Sequence, residues 1–382
     1  MDLEQTNDHF GQINRRSAIP TPALTCDLDK LNTNIARMGR LTAAAGVALR
    51  PHVKSHKSAF IARLQLEAGA RGLCCAKIAE AEAVVERLAL DGYPEEVSIL
   101  ITSPVVGAEA ARRLVELAAH CDLAVVVDHP SGVDELDRAA TNGEVRLKVL
   151  CDVDVGLGRT GVTGPAEALA VAERVDTSAS LDFAGVQGYG GHLQHVVGRS
   201  QRIEATRVAT QRLSDVIDAL ESAGHEVGLR TGGGTGTFAI DMEIGLFNEL
   251  QAGSYVFMDR EYRDALGADV EGDFQQSLTI ATTVISANHD GYVTVDAGLK
   301  AMATDAGPPW IVGHEESAQY AFFGDEHGLV TNAAERSFAR GDRIELVPPH
   351  CDPTVDRYDF IWLVRGDDVV GIADVVARGC SQ

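Results

Sequence analysis

Several features that mark other protein classes are missing from this sequence of 382 residues. No apolar run is long enough to span a bilayer, and the first 17 residues are polar, without the apolar stretch of a signal peptide. The seven cysteines contain no C-x-x-C pair, and their odd number fits buried free thiols better than a disulfide framework. These absences predict a protein of the reducing cytoplasm.

Positive charge is also scarce, since 33 Lys and Arg residues stand against 56 Asp and Glu residues and give a formal net charge of −23. Such a negative balance disfavours nucleic acids and anionic membranes as partners. A bound phosphate group would therefore have to meet locally basic side chains or main-chain amides. The 45% of hydrophobic and 23% of charged residues are ordinary values for a globular protein.

From residue 47 onward the sequence repeats one unit: a short apolar strand, then glycine or polar residues, then an amphipathic helix. Nearly continuous apolar strands indicate a parallel sheet covered by helices. Eight units predict an α/β fold with a closed (β/α)8 barrel of the TIM type, whose site lies at the C-terminal ends of the strands. An open, doubly wound sheet is the alternative. The predicted strands are 47–53, 72–77, 97–102, 123–128, 145–154, 182–189, 226–231 and 250–257.

The pattern changes near residue 260, where helical periodicity gives way to alternating strands separated by turn residues. These strands are predicted at 278–286, 291–296, 318–323, 343–347, 360–364 and 369–376. They indicate an antiparallel β domain. We therefore predict a barrel over 28–262 and a β domain over 263–382, which the segment 19–27 is expected to join.

The stretch Arg50-Pro51-His52-Val53-Lys54 ends the first predicted barrel strand. Strand alternation would place Arg50, His52 and Lys54 on one side of it. A partly desolvated lysine beside other cations has a depressed pKa, and such an amine can form a Schiff base. Lys54 is therefore a candidate catalytic residue. A solvated strand end with extended lysine side chains is the alternative.

Glycine-rich segments follow the fifth, sixth and seventh predicted strands. The first carries Arg159, which its glycine neighbours allow to approach an anion closely, although an exposed arginine in a tight turn is an equal alternative. The second adds Tyr189 and His195 as titratable groups, and one of its histidines can equally be structural. The third, 231–237, is not a Walker A loop, but its position after the seventh strand favours a phosphate cradle.

A candidate metal pair lies in the β domain. In extended backbone His350 and Asp352 would point the same way, as a two-ligand site for a divalent metal requires. Two protein ligands leave positions for water and substrate, which is typical of a catalytic metal. An isolated H-x-D pair is more often structural, and the D-E-H-G cluster at 325–328 is equally weak alone.

Seven segments together carry a family resemblance: R-P-H-V-K at 50–54, G-R-T-G-V at 158–162, G-G-G-T-G at 232–236, E-L-Q-A-G-S-Y at 249–255, D-A-G-L-K at 296–300, D-E-H-G at 325–328 and H-C-D-P-T at 350–354. In them the chain closely resembles the D-threonine aldolase and D-serine dehydratase family. This family belongs to the alanine-racemase-like, fold-type III pyridoxal-phosphate enzymes. The resemblance extends over nearly the whole chain.

The resemblance implies pyridoxal 5'-phosphate as the cofactor, held as a Schiff base by Lys54. It implies that Arg159 lies near the phenolate oxygen of the cofactor, and that Gln187 lies near the pyridine nitrogen as a neutral partner that would not enforce its protonation. Tyr189 and His195 would line the substrate side, with His195 a candidate base. The other implied cofactor-binding residues are His52, Gly233, Gly234, Thr235 and Tyr255, the last four around the phosphate.

The resemblance also implies that His350 and Asp352 hold a divalent metal. Dehydratase-like members usually have H-x-C there, which suits Zn²⁺, whereas aldolase-like members have H-x-D, which suits Mn²⁺ first and also Mg²⁺ or Co²⁺. Asp352 therefore favours retro-aldol cleavage of a D-β-hydroxy-α-amino acid to glycine and an aldehyde. The alternative is a dehydratase acting on D-serine or D-3-hydroxyaspartate. Val196 departs from the tyrosine that many aldolases have after the equivalent of His195, which leaves the substrate side chain open.

Two further alternatives carry less support. A pyridoxal-phosphate carrier would be a single-domain barrel, whereas this chain adds a β domain with a candidate metal pair. A racemase normally uses a second base from the β domain of its partner subunit, and no such base is evident. The resemblance implies a homodimer that acts on a small molecule, with neither nucleic acid nor membrane as a partner.

Overall fold

The computed structural model describes residues 13–94, 96–267, 273–331 and 338–382. Its first sheet contains eight parallel strands in the order β2-β9-β8-β7-β6-β5-β4-β3. The first nine strands of the chain are β1 (Ala23–Asp27), β2 (Ala48–Leu49), β3 (Leu73–Cys75), β4 (Ser98–Ile101), β5 (Asp122–Val127), β6 (Leu147–Asp152), β7 (Leu181–Gly188), β8 (Leu229–Gly232) and β9 (Glu249–Leu250). The predicted TIM-type architecture is confirmed.

A helix follows each barrel strand, as the repeated sequence unit predicts. The helix α1 (Leu28–Ala44) precedes the barrel strands, and those that follow them are α2 (Ala59–Glu67), α3 (Ile78–Leu90), α4 (Ala108–Leu117), α5 (Pro130–Asn142), α6 (Pro165–Asp176), α7 (Arg199–Ser222), α8 (Phe238–Ile244) and α9 (Arg260–Leu266). None of the helices in the described ranges is long and apolar enough to cross a membrane.

The barrel strands are buried on both faces, which explains their continuous apolar sequence. Cys74, Leu100, Val126 and Leu150 come from β3, β4, β5 and β6 and form one buried cluster. The residues that alternate with them pack into the main core together with the helices. A parallel bridge between His52 and Cys74 joins the two edges of the curled sheet. The interior is therefore a packed layer of side chains, as in other barrels of this type.

The second sheet is mainly antiparallel and has nine strands. Its strands after the barrel are β10 (Leu278–His289), β11 (Tyr292–Val295), β12 (Trp310–Ile311), β13 (Tyr320–Phe322), β14 (Gly328–Thr331), β15 (Arg343–Val347), β16 (Phe360–Arg365) and β17 (Asp368–Asp374), with helix α10 (Cys351–Val355) between β15 and β16. The strand β1 lies between β10 and β16 in this sheet. The domain boundary at 262/263 stays a prediction, and α9 lies across it.

Sequence patterns identified the barrel strands but not always their ends. The first one, expected over 47–53, is only two residues long, because the chain turns into a 3-10 helix at Val53–Ser55. The short strands β12 and β14 were not expected from the sequence. β12 has two residues and β14 has four, too few for alternation to stand out.

Candidate active site

Lys54 lies in the 3-10 turn that follows β2, at the C-terminal end of the barrel. Its Nζ is 3.0 Å from Oδ2 of Asp352, which belongs to α10 of the second sheet's domain. This carboxylate raises the pKa of Lys54. The sequence-based expectation of a depressed pKa is therefore wrong, because the nearest charge is an anion. The predicted Schiff-base lysine and one of the two predicted metal ligands are thus in direct contact.

Arg50 does not take part in this site, contrary to the expected alternation. Its Nε donates to Oε1 of Glu249 at 2.8 Å, and its Nη1 donates to the carbonyl and hydroxyl of Ser98. Glu249 and Ser98 are the first residues of β9 and β4, so the guanidinium reaches toward the N-terminal ends of the strands. In a barrel this end supports stability and not catalysis.

A pocket opens beside Lys54, and five of the predicted residues line it. Its lining consists of His52, Lys54, Ala76, Thr102, Ser103, Arg159, Gln187, Tyr189 and Gln251. The structure therefore brings together side chains from β-α loops that are far apart in sequence. The individual roles of these residues stay predictions.

The hydrogen bonds of His52 determine its tautomer. Its Nδ1 accepts from the main-chain N–H of Lys54 at 3.4 Å, and its Nε2 lies 3.1 Å from Oγ1 of Thr102. Because Nδ1 accepts, the proton of the neutral ring is on Nε2, which donates to Thr102. Burial lowers the pKa of His52 well below its ordinary value. His52 is a neutral, fixed ring in the wall of the pocket.

Arg159 and Tyr189 pack against each other in the same wall. The guanidinium carbon of Arg159 lies 5.4 Å from the centroid of the Tyr189 ring, within the range of a cation–π contact. The turn that carries Arg159 is tight, since a Cβ on Gly161, which has φ +105°, would lie 2.5 Å from the amide nitrogen of Asp154. The glycines therefore set the path of the loop that presents the arginine.

The glycine-rich loop after β8 is held by its neighbours as well as by itself. The N–H of Gly234 donates to Oγ1 of Thr237, and the N–H of Gly236 donates to Oε1 of Gln194. Two of the amides expected for a phosphate cradle are thus already engaged. Among the described residues, the structure gives no hydrogen-bond partner to the N–H groups of Gly233 and Thr235.

Tyr255 adds a hydroxyl that sequence patterns alone do not orient. It is fully buried, and its main-chain N–H donates to Oγ1 of Thr235 in the glycine-rich loop. Its hydroxyl oxygen accepts from Nε2 of Gln65, whose Oε1 lies 3.2 Å from Nε2 of His56. Burial lowers the pKa of His56 to about 4, so its ring is neutral. The Tyr255 hydroxyl hydrogen has no acceptor among the described residues, and Tyr255 lies outside the residues that line the Lys54 pocket.

One side of the pocket is a network of buried amides and a carboxyl group. Nε2 of Gln187 donates to the carbonyl of Thr102 at 3.1 Å and to Oδ1 of Asp152 at 2.8 Å. Oε1 of Gln187 accepts from Nε2 of Gln251 at 3.0 Å. Sequence reasoning did not identify Asp152 and Gln251 as site residues. Their positions at the end of β6 and just after β9 were the available signal.

The predicted metal pair adopts a different backbone from the expected extended one. His350 precedes α10 as its N-cap, and Asp352 lies in the first turn of that helix. Nδ1 of His350 is 2.7 Å from Oδ2 of Asp305, a carboxylate that the sequence analysis missed. No cluster of three or more metal-ligating side chains occurs within the described ranges. Since the Asp305 carboxylate accepts the Nδ1 proton, Nε2 is the nitrogen that carries the lone pair when the His350 ring is neutral.

His195 lies near this pair but is not part of the pocket lining. Its Nδ1 is 3.5 Å from Oε1 of Glu261, and its ring is 4.5 Å from that of Tyr262. Its Nε2 is buried and has no hydrogen-bond partner among the described residues. Burial, with the charges of His350 and Lys54, lowers the pKa of His195 to about 4. The His195 ring is therefore neutral.

Comparisons with known proteins agree with this arrangement. The family model described as the alanine racemase N-terminal domain matches residues 26–261, and that of a serine dehydratase domain matches residues 277–364. A D-threonine aldolase from Arthrobacter sp is 37% identical over 95% of this chain and 94% of its own length. A 3-hydroxy-D-aspartate aldolase from Paracoccus denitrificans (strain Pd 1222) is 35% identical over 95% and 93%.

A solved structure extends the similarity to three dimensions. The crystal structure of D-threonine aldolase from Filomicrobium marinum superposes with a TM-score of 0.92 at 34% sequence identity. The match covers 98% of this chain and 100% of that one. Barrel, second sheet and their connection therefore follow the same plan in both proteins.

Proposed function

The chain belongs to the alanine-racemase-like family of D-threonine and 3-hydroxy-D-aspartate aldolases, and we propose that it cleaves D-β-hydroxy-α-amino acids to glycine and an aldehyde. In this proposal the reaction uses pyridoxal 5'-phosphate and a divalent metal. The observation that carries it is the distance of 3.0 Å between Nζ of Lys54 and Oδ2 of Asp352. A candidate Schiff-base amine and a candidate metal ligand thus lie within reach of one small substrate.

The residues present fit the cofactor. Lys54 has its amine at the pocket, and Arg159 supplies a cation in the pocket wall. The free N–H groups of Gly233 and Thr235 and the unshared hydroxyl hydrogen of Tyr255 are donors of the kind that a phosphate requires. When bound, pyridoxal phosphate supplies a conjugated ring that delocalises the electron pair left on the substrate α-carbon.

The residues also fit a divalent metal with two protein ligands. His350 would bind through Nε2, because Asp305 fixes its other nitrogen, and Asp352 would bind through its carboxylate. Lys54 and His350 lower the pKa of Asp352 although burial opposes this, so its carboxylate is ionised. Oxygen and imidazole ligands suit Mn²⁺, Mg²⁺ or Co²⁺, of which we propose Mn²⁺. Such a metal would polarise the β-hydroxyl of the substrate.

His195 is the proposed base. Glu261 favours the proton on Nδ1, which leaves the lone pair of Nε2 free to accept the β-hydroxyl proton. The Cα–Cβ bond then breaks with its electron pair on Cα, and the side chain leaves as an aldehyde. Return of a proton to Cα gives glycine. Tyr189, in the pocket wall, would position the substrate. The expected homodimer and the cytoplasmic location also stay proposals.

Product analysis tests the reaction. We expect purified protein with pyridoxal phosphate and Mn²⁺ to release glycine and acetaldehyde from D-threonine, and little pyruvate from D-serine. The reason is Asp352, which gives the metal pair an oxygen ligand in place of the sulfur that suits zinc. The matched control is L-threonine, which should give no glycine. Pyruvate and ammonia from D-serine, without glycine from D-threonine, would identify a dehydratase instead.

Asp305 gives a second prediction. Replacing it with asparagine removes the carboxylate that orients His350, and we expect the concentration of Mn²⁺ for half-maximal activity to rise about 10- to 100-fold. The measurement is activity as a function of Mn²⁺ after treatment with a chelator. Asp325→Asn is the matched control, because Asp325 is exposed and distant in sequence from the pair. An unchanged Mn²⁺ requirement in Asp305→Asn would contradict the assignment of His350 as a ligand.

A further inference from the structure

The network formed by Gln187, Gln251 and Asp152, here called the amide floor, has a consequence for the cofactor. Resting on the proposed function, we propose that the amide floor presents hydrogen-bond acceptors to the pyridine nitrogen and thereby keeps it protonated. This departs from the sequence-based interpretation of Gln187 as a partner that does not enforce protonation. Asp152 would then act as a positioning and charge-stabilising residue for the cofactor.

The orientation of the Gln187 amide follows from a neighbour that can only accept. One atom of the amide lies 3.1 Å from the main-chain carbonyl of Thr102, and this atom must therefore be the NH₂ group. The same group donates its other hydrogen to Oδ1 of Asp152. Both amide hydrogens are engaged, so Gln187 has no donor left for a ligand. Its Oε1 faces Gln251 and retains a second lone pair.

The side-chain amide of Gln251 is oriented in the same way, with its nitrogen as the donor within the network and its oxygen left as an acceptor. Because Oε1 of Gln187 is an acceptor, the atom of Gln251 that lies 3.0 Å from it is Nε2, which also donates to Oγ1 of Thr231. Its hydrogens are thus both engaged, and the structure gives its Oε1 no hydrogen-bond partner among the described residues. Gln187 and Gln251 both line the pocket. Their remaining hydrogen-bonding capacity toward a ligand is therefore that of acceptors only.

An acceptor can bind a pyridine nitrogen only when that nitrogen carries a proton. Asp152 reinforces this, since its carboxylate lies directly behind Gln187 and accepts from Oγ1 of Thr160 at 2.8 Å. Both oxygens of Asp152 accept hydrogen bonds, from Gln187 and from Thr160, which favours the ionised carboxylate although burial raises its pKa to about 6. Its negative charge favours a nearby cation. Arg159 and Lys54 are the cations that line the pocket, and they oppose the effect.

The test is ¹⁵N NMR of the full-length holoenzyme, loaded with pyridoxal phosphate labelled at the pyridine nitrogen. We expect the resonance of the wild-type protein at the position of a protonated reference Schiff base. In Asp152→Asn we expect it to move at least halfway toward the unprotonated reference, because the amide keeps the size of the side chain and removes its charge. Asp122→Asn, at the opposite end of the barrel, is the matched control and should leave the resonance in place.

The outcomes separate this inference from the proposed function. A cofactor that borohydride fixes to the chain, with a wild-type resonance at the unprotonated position, overturns the inference and leaves the function standing. A folded Asp152→Asn holoenzyme with an unchanged resonance overturns the role of Asp152. Failure of borohydride to fix any cofactor to the wild-type protein overturns the proposed function itself. The wild-type measurement decides the main point even where the variant does not fold.

Discussion

Replacing Lys54 with alanine is expected to lower kcat/KM for D-threonine by about 10³-fold or more, the largest effect on activity that this site predicts. The Lys54 amine lies at the pocket and beside Asp352, so it is placed both to bind the cofactor covalently and to transfer protons near the substrate. Borohydride reduction of the wild-type holoenzyme should attach the cofactor to the peptide that contains Lys54. The variant should carry no attached cofactor.

Lys57 supplies the matched control, because it lies in the same stretch but pairs with Asp356 at 2.6 Å and does not line the pocket. Lys57→Ala should keep its activity and its attached cofactor, with a small loss of stability. Peptide mapping by mass spectrometry distinguishes the two lysines directly. Attachment of the cofactor at another lysine, or an active Lys54→Ala variant, would remove the basis of the proposed reaction.

The barrel could be predicted from the sequence because strands that are buried on both faces are apolar along nearly their whole length. Residues such as Leu100 and Val126 face one side of their strands and their neighbours face the other, and all are apolar. Lys54 and Arg159 could also be placed near the site, since parallel strands end at one edge and the loops that follow meet there. These predictions required only the period of the hydrophobic pattern and the order of strands and helices along the chain.

The polar contacts of the site could not be predicted in the same way. Asp305 meets His350, and Asp152 meets Gln187, through strand register and loop paths that no local pattern encodes. The ion pair of Lys54 with Asp352 joins the two parts of the chain and reverses the expected direction of the lysine pKa shift. Contacts over such separations depend on the tertiary fold.

The backbone at the predicted metal pair differs from the expected strand, although the sequence contains a local signal for a helix. The sequence His350-Cys351-Asp352-Pro353 was interpreted as extended, yet α10 begins at Cys351. Proline is tolerated in the first turn of a helix, where its missing N–H would have no intrahelical partner. A proline three residues after the capping residue His350 therefore fits a helix start as well as a strand end.

Removing the charge of Glu249 is expected to destabilise the protein by about 3–5 kcal/mol, the largest effect on stability that the structure predicts. Arg50 and Glu249 are 5% and 0% exposed, and Nε of Arg50 is 2.8 Å from Oε1 of Glu249. The carboxylate outweighs burial and raises the pKa of Arg50, so the pair is ionised. Glu249→Gln keeps the shape but leaves a buried cation without its counterion. Urea unfolding followed by circular dichroism measures the loss.

A double variant separates the charge from the packing. Arg50→Met combined with Glu249→Leu replaces the ion pair with apolar side chains, and we expect it to recover most of the stability that Glu249→Gln loses, since desolvation offsets much of a buried pair's attraction. Asp182→Asn is the control at the same end of the barrel, because Asp182 forms an exposed ion pair with Arg146 that should contribute less than about 1 kcal/mol. A loss of similar size in Glu249→Gln and Asp182→Asn would contradict the prediction. The Arg50–Glu249 pair lies at the N-terminal ends of the strands, away from the pocket at their C-terminal ends. We therefore expect the folded Glu249→Gln protein to keep the cofactor spectrum of the wild type, because the substitution lowers stability without changing the active site.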